Sequence, residues 1–488
     1  MKADGSRRHN LAWHCFAGLV MALQVALILR HDYFVDEWQA LQLAVQTPDI
    51  AALFANLRYE GHPPLWHLLL RALAAVVGPH AALPVASLLL ALSTQWLILF
   101  RSPFPLWLRL ALALSEPILF EYGTVSRSYT LGVMLFFWAL ASWDGRRLAW
   151  LPLSLLPMTE FLFGVMAACL LLVRFGPRSS WKTIWWPGAA VFAVCSLFAA
   201  WTIIPAPDMV PVYYATTSPA QGVLLWMLVL SVVTVPLQWK DGLQWDMVPA
   251  LASSMVLWAG FLAVAYSQTR DRVLDRLAMA GFLLVTLGFF AFLYPLTIRH
   301  MMLAGVLLVG LHWQQARDGI VARWPFRLWV LTGTACGMVA IYAGLALPFD
   351  TAPRVAAFIR NRGLQDKTWV SVPAQHGQGV SALTGVLFEN AAQGCTSDFI
   401  RWNFAKGSDV PRPLASWVTQ TARRTGSFHL LSYIRLEAAA DVRELAVIDP
   451  GYDGKRYYIY RIGAANAPER APRARCVSDI RPMPLPTR

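Results

Sequence analysis

Acidic residues and a histidine stand close together in the first polar segment of the chain. Asp36 and Glu37 are adjacent, and Glu60, Gly61 and His62 follow later, directly before two prolines. A carboxylate beside a substrate can act as a general base, hold a metal ion or take up a proton. The residue before a proline is biased to extended conformations, so His62 is expected on a rigid turn. The alternatives are that Asp36 and Glu37 form a solvated pair in the loop and that His62 is an ordinary turn residue.

Two arginines stand at the start of apolar segments, where an unpaired charge is costly. Arg127 precedes one such segment, and Arg299, followed by His300, precedes another. A guanidinium is a planar, two-pronged donor that suits phosphate. The alternatives are a pair with Glu121 or a snorkelling side chain for Arg127, and an ordinary interfacial role for Arg299. Glu160, between two short apolar segments, is either an acid in a cavity or an exposed hairpin tip.

The elements that must position these side chains are predicted to be helices in a lipid bilayer. Of the 488 residues, 57% are hydrophobic and 14% are charged, whereas soluble domains carry about 25% charged residues. A helix needs roughly 20 apolar residues to cross a bilayer. Six runs come near that length, which excludes a soluble protein: 11–29, 82–100, 185–203, 248–265, 277–293 and 328–347.

The positive charge of the chain follows the pattern of a membrane protein. The formal net charge is +13, which in a soluble protein would suggest nucleic acid. Here the basic residues collect in short loops: Arg7 and Arg8, Arg146 and Arg147, 174–182, and 317–327. Lys and Arg mark cytoplasmic loops of membrane proteins, so no nucleic-acid partner is expected.

Residues 1–349 are predicted to form the membrane core. The first apolar segment is read as an uncleaved first helix, because no small-residue cleavage site follows it. Residues 31–64 form a long first loop, expected to contain short helices on the membrane surface. The run Leu65–Val77 is either a span or an interfacial helix. With the shorter apolar runs included, we expect about eleven to thirteen spans.

The composition changes at about Asp350. The strand-like segments 368–372, 429–434 and 456–462 are rich in β-branched and aromatic residues, which predicts a small α/β domain over residues 350–463. Residues 464–488 are rich in Pro and Arg and are expected to be extended. Cys395 and Cys476 lie in this polar part and are expected to pair if it is extracytoplasmic.

The motif in the first loop resembles a known family. Asp36-Glu37, followed by His62-Pro-Pro-Leu65 at the start of the next helix, looks like the protein O-mannosyltransferases. These belong to the GT-C membrane glycosyltransferases, with the lipid A aminoarabinose transferases as relatives (glycosyltransferase families 39 and 83). The layout is also similar, with a first helix, a long loop, uneven spans and a C-terminal polar domain. Trp66 stands where the mannosyltransferases often carry a lysine.

The resemblance implies an all-α, GT-C-like polytopic fold and transfer of a sugar from a polyprenyl-phosphate carrier to an extracytoplasmic acceptor. Asp36 would be the catalytic carboxylate that deprotonates the acceptor hydroxyl, and Glu37 would shape the catalytic site. The remaining candidates would line the cavity or bind substrate and phosphate: Glu60, His62, Arg127, Arg299 and His300. No cofactor is required by the sequence, although Asp36, Glu37 and His62 could hold a divalent metal.

The sequence therefore predicts a glycosyltransferase of the bacterial inner membrane, with its site and C-terminal domain facing the periplasm. Its partners would be the polyprenyl-phosphate sugar, membrane lipid, and a glycan, lipid or protein acceptor. Two other functions stay open. One is a lipid or polysaccharide transporter, although such proteins tend to show internal repeats. The other is a polysaccharide polymerase or ligase, which would be expected to carry its important residues in a large late loop between helices.

Overall fold

The computed structural model describes most of the chain. The described residues are 2–143, 147–207, 209, 218–236, 238–239, 243–244, 251–293, 296–402, 410–476 and 483. Some of the residues discussed above lie outside the described ones. These are Arg146 of one basic loop, residues 477–482 and 484–488 of the predicted extended tail, and the side chains of Arg7 and Arg8.

In the residues that the structure describes, the first part of the chain is mainly helical. Its α-helices are α1 (Lys2–Arg30), α2 (Val35–Gln46), α3 (Ile50–Leu57), α4 (Leu65–Val77), α5 (Pro79–Trp96), α6 (Leu106–Ala113), α7 (Ser128–Ala141), α8 (Trp150–Leu155), α9 (Phe161–Phe175), α10 (Trp186–Thr202), α11 (Pro219–Leu230), α12 (Leu251–Thr269), α13 (Val273–Phe292), α14 (Ile298–Arg317) and α15 (Trp324–Ala346). Two short strands, β1 (Gln238–Trp239) and β2 (Leu243–Gln244), pair in antiparallel fashion before α12.

Many of these helices have the composition of membrane spans. Within the described residues, five are long and apolar enough to cross a bilayer: Leu11–Arg30, Pro79–Arg101, Leu251–Thr269, Val273–Phe292 and Trp324–Ala346. Five shorter apolar helices accompany them: Leu65–Val77, Ser128–Ala141, Phe161–Phe175, Trp186–Thr202 and Pro219–Val233. The polytopic helical core is confirmed, whereas eleven to thirteen spans stays a prediction.

The C-terminal part is an α/β domain around a mixed sheet. Its elements are α16 (Ala352–Asn361), β3 (Trp369–Val372), α17 (Gln378–Thr384), β4 (Phe388–Asn390), β5 (Cys395–Ser397), α18 (Leu414–Thr425), β6 (Phe428–Ser432), β7 (Val442–Ile448) and β8 (Tyr457–Ile462). The strand order is β5-β4-β3-β6-β8-β7, and β3 is parallel to both of its neighbours. The predicted α/β domain and its three predicted strands are confirmed.

Alternation along β3 explains how the sheet is covered on both faces. Trp369 packs in a cluster with Val355 of α16 and Val380 of α17, whereas Val370 packs with Val418 of α18 on the other face. Successive strand residues point to opposite faces, so a central strand covered on both faces is mostly apolar. Ser371 is the buried polar residue of β3, and its hydroxyl donates to the Pro373 carbonyl oxygen at 2.9 Å. The predicted disulfide between Cys395 and Cys476 is confirmed, and it ties β5 to the C-terminal tail.

An aromatic cluster holds the domain against the helical core beside the first loop. Phe34 and Phe120 of the core pack with Phe349, just after α15, and with Tyr452 of the C-terminal domain. The backbone of Gly451 approaches this point so closely that a Cβ there would lie 2.5 Å from the Phe349 carbonyl oxygen. Only glycine tolerates such an approach, and it brings the loop before β8 next to Phe34.

Candidate functional site

A polar cavity of about 110 Å³ lies where the first loop, the helical core and the C-terminal domain meet. The cavity is lined by Asp36, Gln39, Ala40, Glu60, His62, Trp66, His67, Arg127, Ser128 and Trp402. The structure thus brings four of the residues singled out in the sequence, Asp36, Glu60, His62 and Arg127, into one wall. Arg299 joins them through a direct contact with Asp36.

Asp36 lies in the first turn of α2, where the helix dipole favours a negative charge. Its Oδ2 accepts a hydrogen bond from Arg127 and a second from Arg299 Nη1 at 3.0 Å. Desolvation by the surrounding protein would raise the pKa of Asp36, but the Arg127 charge and hydrogen bond outweigh it and hold the pKa below its usual value. Asp36 is therefore an ionised carboxylate between two guanidinium groups.

The two arginines come from the starts of different helices. Arg127 directly precedes α7, and Arg299 lies in the first turn of α14. The hydroxyl of Tyr122 donates to the Arg299 carbonyl oxygen at 2.5 Å, which fixes the start of α14 against the loop before α7. Arg127 pairs with Asp36, whereas one alternative from the sequence was a pair with Glu121. Glu121 instead lies 4.0 Å from Arg299 Nε.

Glu37 is buried and lies outside the cavity wall. Its carboxylate accepts from the Phe34 backbone N–H at 2.9 Å and from the Ser126 N–H at 2.6 Å, and it bonds His31 Nε2 at 2.8 Å. These contacts join the end of α1, the start of α2 and the loop before α7. Glu37 therefore holds the backbone that places Asp36 beside Arg127, which fits the expectation that it shapes the site.

His62 is paired with Glu160, which the sequence had placed either in a cavity or at an exposed tip. His62 Nδ1 lies 2.6 Å from Glu160 Oε2, and Glu160 also accepts from the Phe161 N–H at 3.0 Å as the cap of α9. Glu160 is 1% exposed, so the exposed-tip alternative was wrong. Burial would lower the pKa of His62, but the Glu160 charge outweighs it and raises the pKa.

Glu60 is the second carboxylate of the cavity. Burial raises its pKa to about 7, against the opposing effects of His62 and of a hydrogen bond from Gln39 Nε2 at 2.6 Å. Gln39 also binds the C-terminal domain, since it donates to the Ile400 carbonyl at 2.7 Å and accepts from the Ile400 N–H at 3.0 Å. This contact holds the segment that carries Trp402 over the cavity.

Lys455, which sequence reasoning missed, adds a third cation to the site. The ring of Phe34 lies 5.9 Å from Arg127, 5.5 Å from Arg299 and 5.8 Å from Lys455, each measured from the ring centroid. Lys455 is held by Asp453 at 3.4 Å in the loop before β8. Lys455 lies in a polar turn of the C-terminal domain, and nothing in its local sequence indicates that it lies near Asp36 and the first loop.

His300 and the suggested metal ligands are not brought together. His300 Nδ1 lies 2.7 Å from the Thr297 hydroxyl, and its ring packs edge-on against Tyr129, outside the cavity wall. The carboxylate of Asp36 faces arginines, that of Glu37 faces His31, and His62 faces Glu160, as described above. Among the described residues, no group of three or more His, Cys, Asp or Glu side chains has an arrangement that could hold a metal ion.

The chain is similar to solved structures but to no known family model. No protein-family model matches the chain, and no curated protein matches it. Among solved structures, the chain is similar to ArnT from Cupriavidus metallidurans bound to undecaprenyl phosphate, with 12% sequence identity and a TM-score of 0.46. The match covers 91% of this chain and 97% of that one. At this identity and score, it assigns no role to any residue here.

Proposed function

We propose that the protein is a membrane glycosyltransferase that moves a sugar from a polyprenyl-phosphate carrier to the hydroxyl group of an acceptor. The observation that carries this proposal is the contact of Asp36 with Arg127 and Arg299 at the polar cavity. It puts a carboxylate, able to take a proton, next to cations able to bind a phosphate. The apolar helices of the core suit a substrate with a long lipid tail.

In the proposed reaction, the acceptor oxygen attacks the anomeric carbon of the sugar and loses its proton to Asp36. A new carbon–oxygen bond forms, and the bond between the anomeric carbon and the phosphate oxygen breaks. The lipid phosphate leaves with the bonding electron pair. Arg127, Arg299 and Lys455 stabilise the charge that develops on it, because cations held in place by the fold are already oriented before the reaction.

The pairing of Asp36 with the arginines is compatible with a phosphate beside them. A guanidinium has five N–H donors, and the contacts to Asp36 use one terminal nitrogen of each arginine. One guanidinium can therefore bridge a carboxylate and a phosphate. A phosphate that draws the arginines toward itself also leaves Asp36 less neutralised, which makes the carboxylate a stronger base.

The direct contact of Gln39 with Ile400 supports a placement of the site and the C-terminal domain on one side of the membrane. We propose that this is the periplasmic side of a bacterial inner membrane, which fits a disulfide in the same domain. Labelling of single cysteines placed at exposed Asp49 and exposed Glu437 with a membrane-impermeant reagent tests the orientation. Labelling of both only after the membrane is opened would place the site in the cytoplasm.

Radiolabelled sugar transfer from a panel of polyprenyl-phosphate sugars by the purified chain tests the function. The proposal expects a labelled acceptor product and free polyprenyl phosphate in equal amounts. A transporter would move the lipid between leaflets with the sugar–phosphate bond intact. A polymerase would instead extend a lipid-linked glycan, so the labelled product would grow by repeated addition. Either of these last two results would replace the proposed function.

A further inference from the structure

Two residues in the first turn of α4 have buried ring nitrogens without a partner. Trp66 is 1% exposed and His67 is 2% exposed, and both line the polar cavity. Among the described residues, nothing accepts a hydrogen bond from Trp66 Nε1 or bonds His67 Nδ1. Trp38, from the neighbouring helix α2, differs in this respect, since its Nε1 donates to the Tyr33 carbonyl oxygen at 2.8 Å.

An unpartnered ring nitrogen in the wall of a polar cavity requires an explanation. A buried tryptophan N–H normally finds an acceptor, because the nitrogen loses its hydrogen bonds to water when it is buried. The imidazole Nδ1 can donate or accept, according to its tautomer. Two such groups side by side in the wall of one cavity indicate that a ligand in that cavity supplies the missing partners.

The cavity has the size and chemistry of a site for a polyhydroxylated ring. A single water molecule needs roughly 10–15 Å³ of such space, so the cavity of about 110 Å³ admits a larger group. Asp36 and Glu60 offer carboxylate oxygens to hydroxyl donors, while Trp66 offers a donor to hydroxyl oxygens. Trp402 adds an aromatic ring from the C-terminal domain. Sugar hydroxyls both donate and accept, and sugar C–H faces pack on aromatic rings.

We propose that Trp66 and His67, together with Glu60, form the subsite that binds hydroxyl groups of the transferred sugar. The proposal rests on the proposed function, because it places the sugar of the lipid donor in the cavity and its phosphate at Arg127 and Arg299. The prolines at 63 and 64 precede this turn directly and fix where α4 begins. Trp66 and His67 therefore set which sugar is accepted, while the arginines bind any polyprenyl phosphate.

Binding measurements with two kinds of lipid test the subsite. The purified chain is titrated with bare polyprenyl phosphate and with a panel of hexose-bearing polyprenyl phosphates. Trp66→Phe removes the N–H and keeps an aromatic ring, and His67→Phe removes both ring nitrogens. We expect each variant to bind the preferred hexose-bearing lipid about threefold to tenfold more weakly, as for the loss of one hydrogen bond, with the affinity for the bare lipid unchanged.

Two further variants serve as controls. Trp313→Phe makes the same chemical change at a fully buried tryptophan whose Nε1 also has no partner among the described residues, but which packs against Phe104 and Phe137 instead of the cavity. It should bind both lipids as the wild type does. His67→Asn should recover most of the affinity, because the asparagine amide nitrogen lies close to the position of imidazole Nδ1.

The results separate the subsite from the function on which it rests. Unchanged affinity of Trp66→Phe and His67→Phe for the hexose-bearing lipid, with sugar transfer by the wild type intact, would overturn the subsite alone. Equal weakening toward both lipids would also overturn it, because the effect would then concern the phosphate or the fold. Wild-type protein that binds no hexose-bearing lipid, and transfers no sugar from any polyprenyl-phosphate sugar of the panel described under the proposed function, would overturn the subsite and the proposed function together.

Discussion

Arg299 Nη1 donates to Asp36 Oδ2 at 3.0 Å, although the two residues lie 263 positions apart. The contact joins the first turn of α14 to the first turn of α2, and Arg127 reaches the same carboxylate oxygen from the start of α7. Three separate stretches of the chain thus converge on one oxygen atom. This convergence links the carboxylate of the first loop to the cations expected to bind phosphate.

Arg299→Ala is expected to weaken binding of the lipid donor about tenfold to a hundredfold, because a hydrogen bond to a charged group contributes roughly 1.5–3 kcal/mol. Arg299→Lys should recover part of the loss, since it keeps the charge but not the two-pronged geometry. Titration with polyprenyl phosphate measures both. Arg435→Ala, at an exposed arginine of the C-terminal domain, should have no effect. An unchanged affinity in Arg299→Ala would remove Arg299 from the phosphate site.

Lys455→Ala is expected to weaken donor binding by about twofold to fivefold, less than the change at Arg299, because a partly exposed charge is screened by solvent and salt. The effect should shrink as salt is raised. Lys367, an exposed lysine paired with Glu469 in the same domain, provides the matched control, Lys367→Ala. Equal effects of the two substitutions would show that Lys455 contributes only to the general charge of the domain and does not bind the donor at the site.

Glu37→Gln is expected to lower the stability of the folded chain by about 1–3 kcal/mol, because it puts an amide against backbone N–H groups that now donate to a buried carboxylate. Sugar transfer per folded molecule should stay close to normal. Thermal unfolding and transfer are measured together, with Glu437→Gln at an exposed position as the control. Normal stability combined with lost transfer would instead give Glu37 a direct part in the chemistry.

The dependence of transfer on pH separates the two carboxylates of the cavity. Asp36, whose pKa is held below its usual value, stays ionised as the pH falls from 8 to 5, so kcat should stay flat. Glu60 has a pKa of about 7 and gains a proton as the pH falls through 7. It then loses its charge-assisted hydrogen bonds to the sugar, so KM for the donor should rise. Glu60→Gln should abolish this rise.

A different profile would move the catalytic role from Asp36 to Glu60. A general base must be deprotonated to act, so a base with a pKa of about 7 gives a kcat that falls as the pH drops below 7. If kcat of the wild type falls in this way, and Glu60→Gln abolishes transfer at every pH, then Glu60 is the base. Asp36 would in that case serve only to position the arginines.

The sequence carried enough information to find four residues of the candidate site, since each of these four has a local signal. Asp36 and Glu60 stand out as acids in an amphipathic loop, and Arg127 and Arg299 stand out as charges at the starts of apolar segments, where an unpaired charge is costly. The strands that contain Trp369 and Tyr460 were equally predictable, because aromatic and β-branched residues dominate both and pack on two covered faces.

The sequence does not show which of these residues contact each other. The choice of Asp36 as the partner of Arg127, and of Glu160 as the partner of His62, depends on how helices pack across the core. Lys455 and Gln39 have no local signal at all, because their importance comes from the docking of the C-terminal domain against the first loop. Trp66 stood out in the sequence as a departure from a family motif, but its unpartnered nitrogen required the structure.

Transfer of radiolabelled sugar by Asp36→Asn, at saturating donor, tests the central claim most directly. Asn keeps the shape of the side chain and loses the base, so kcat should fall by about 10²- to 10⁴-fold while the donor still binds. Asp49→Asn, at the cap of α3 in the same loop, should transfer normally, since asparagine caps a helix as well as aspartate does. Turnover above about a tenth of normal in a folded Asp36→Asn variant would contradict the account.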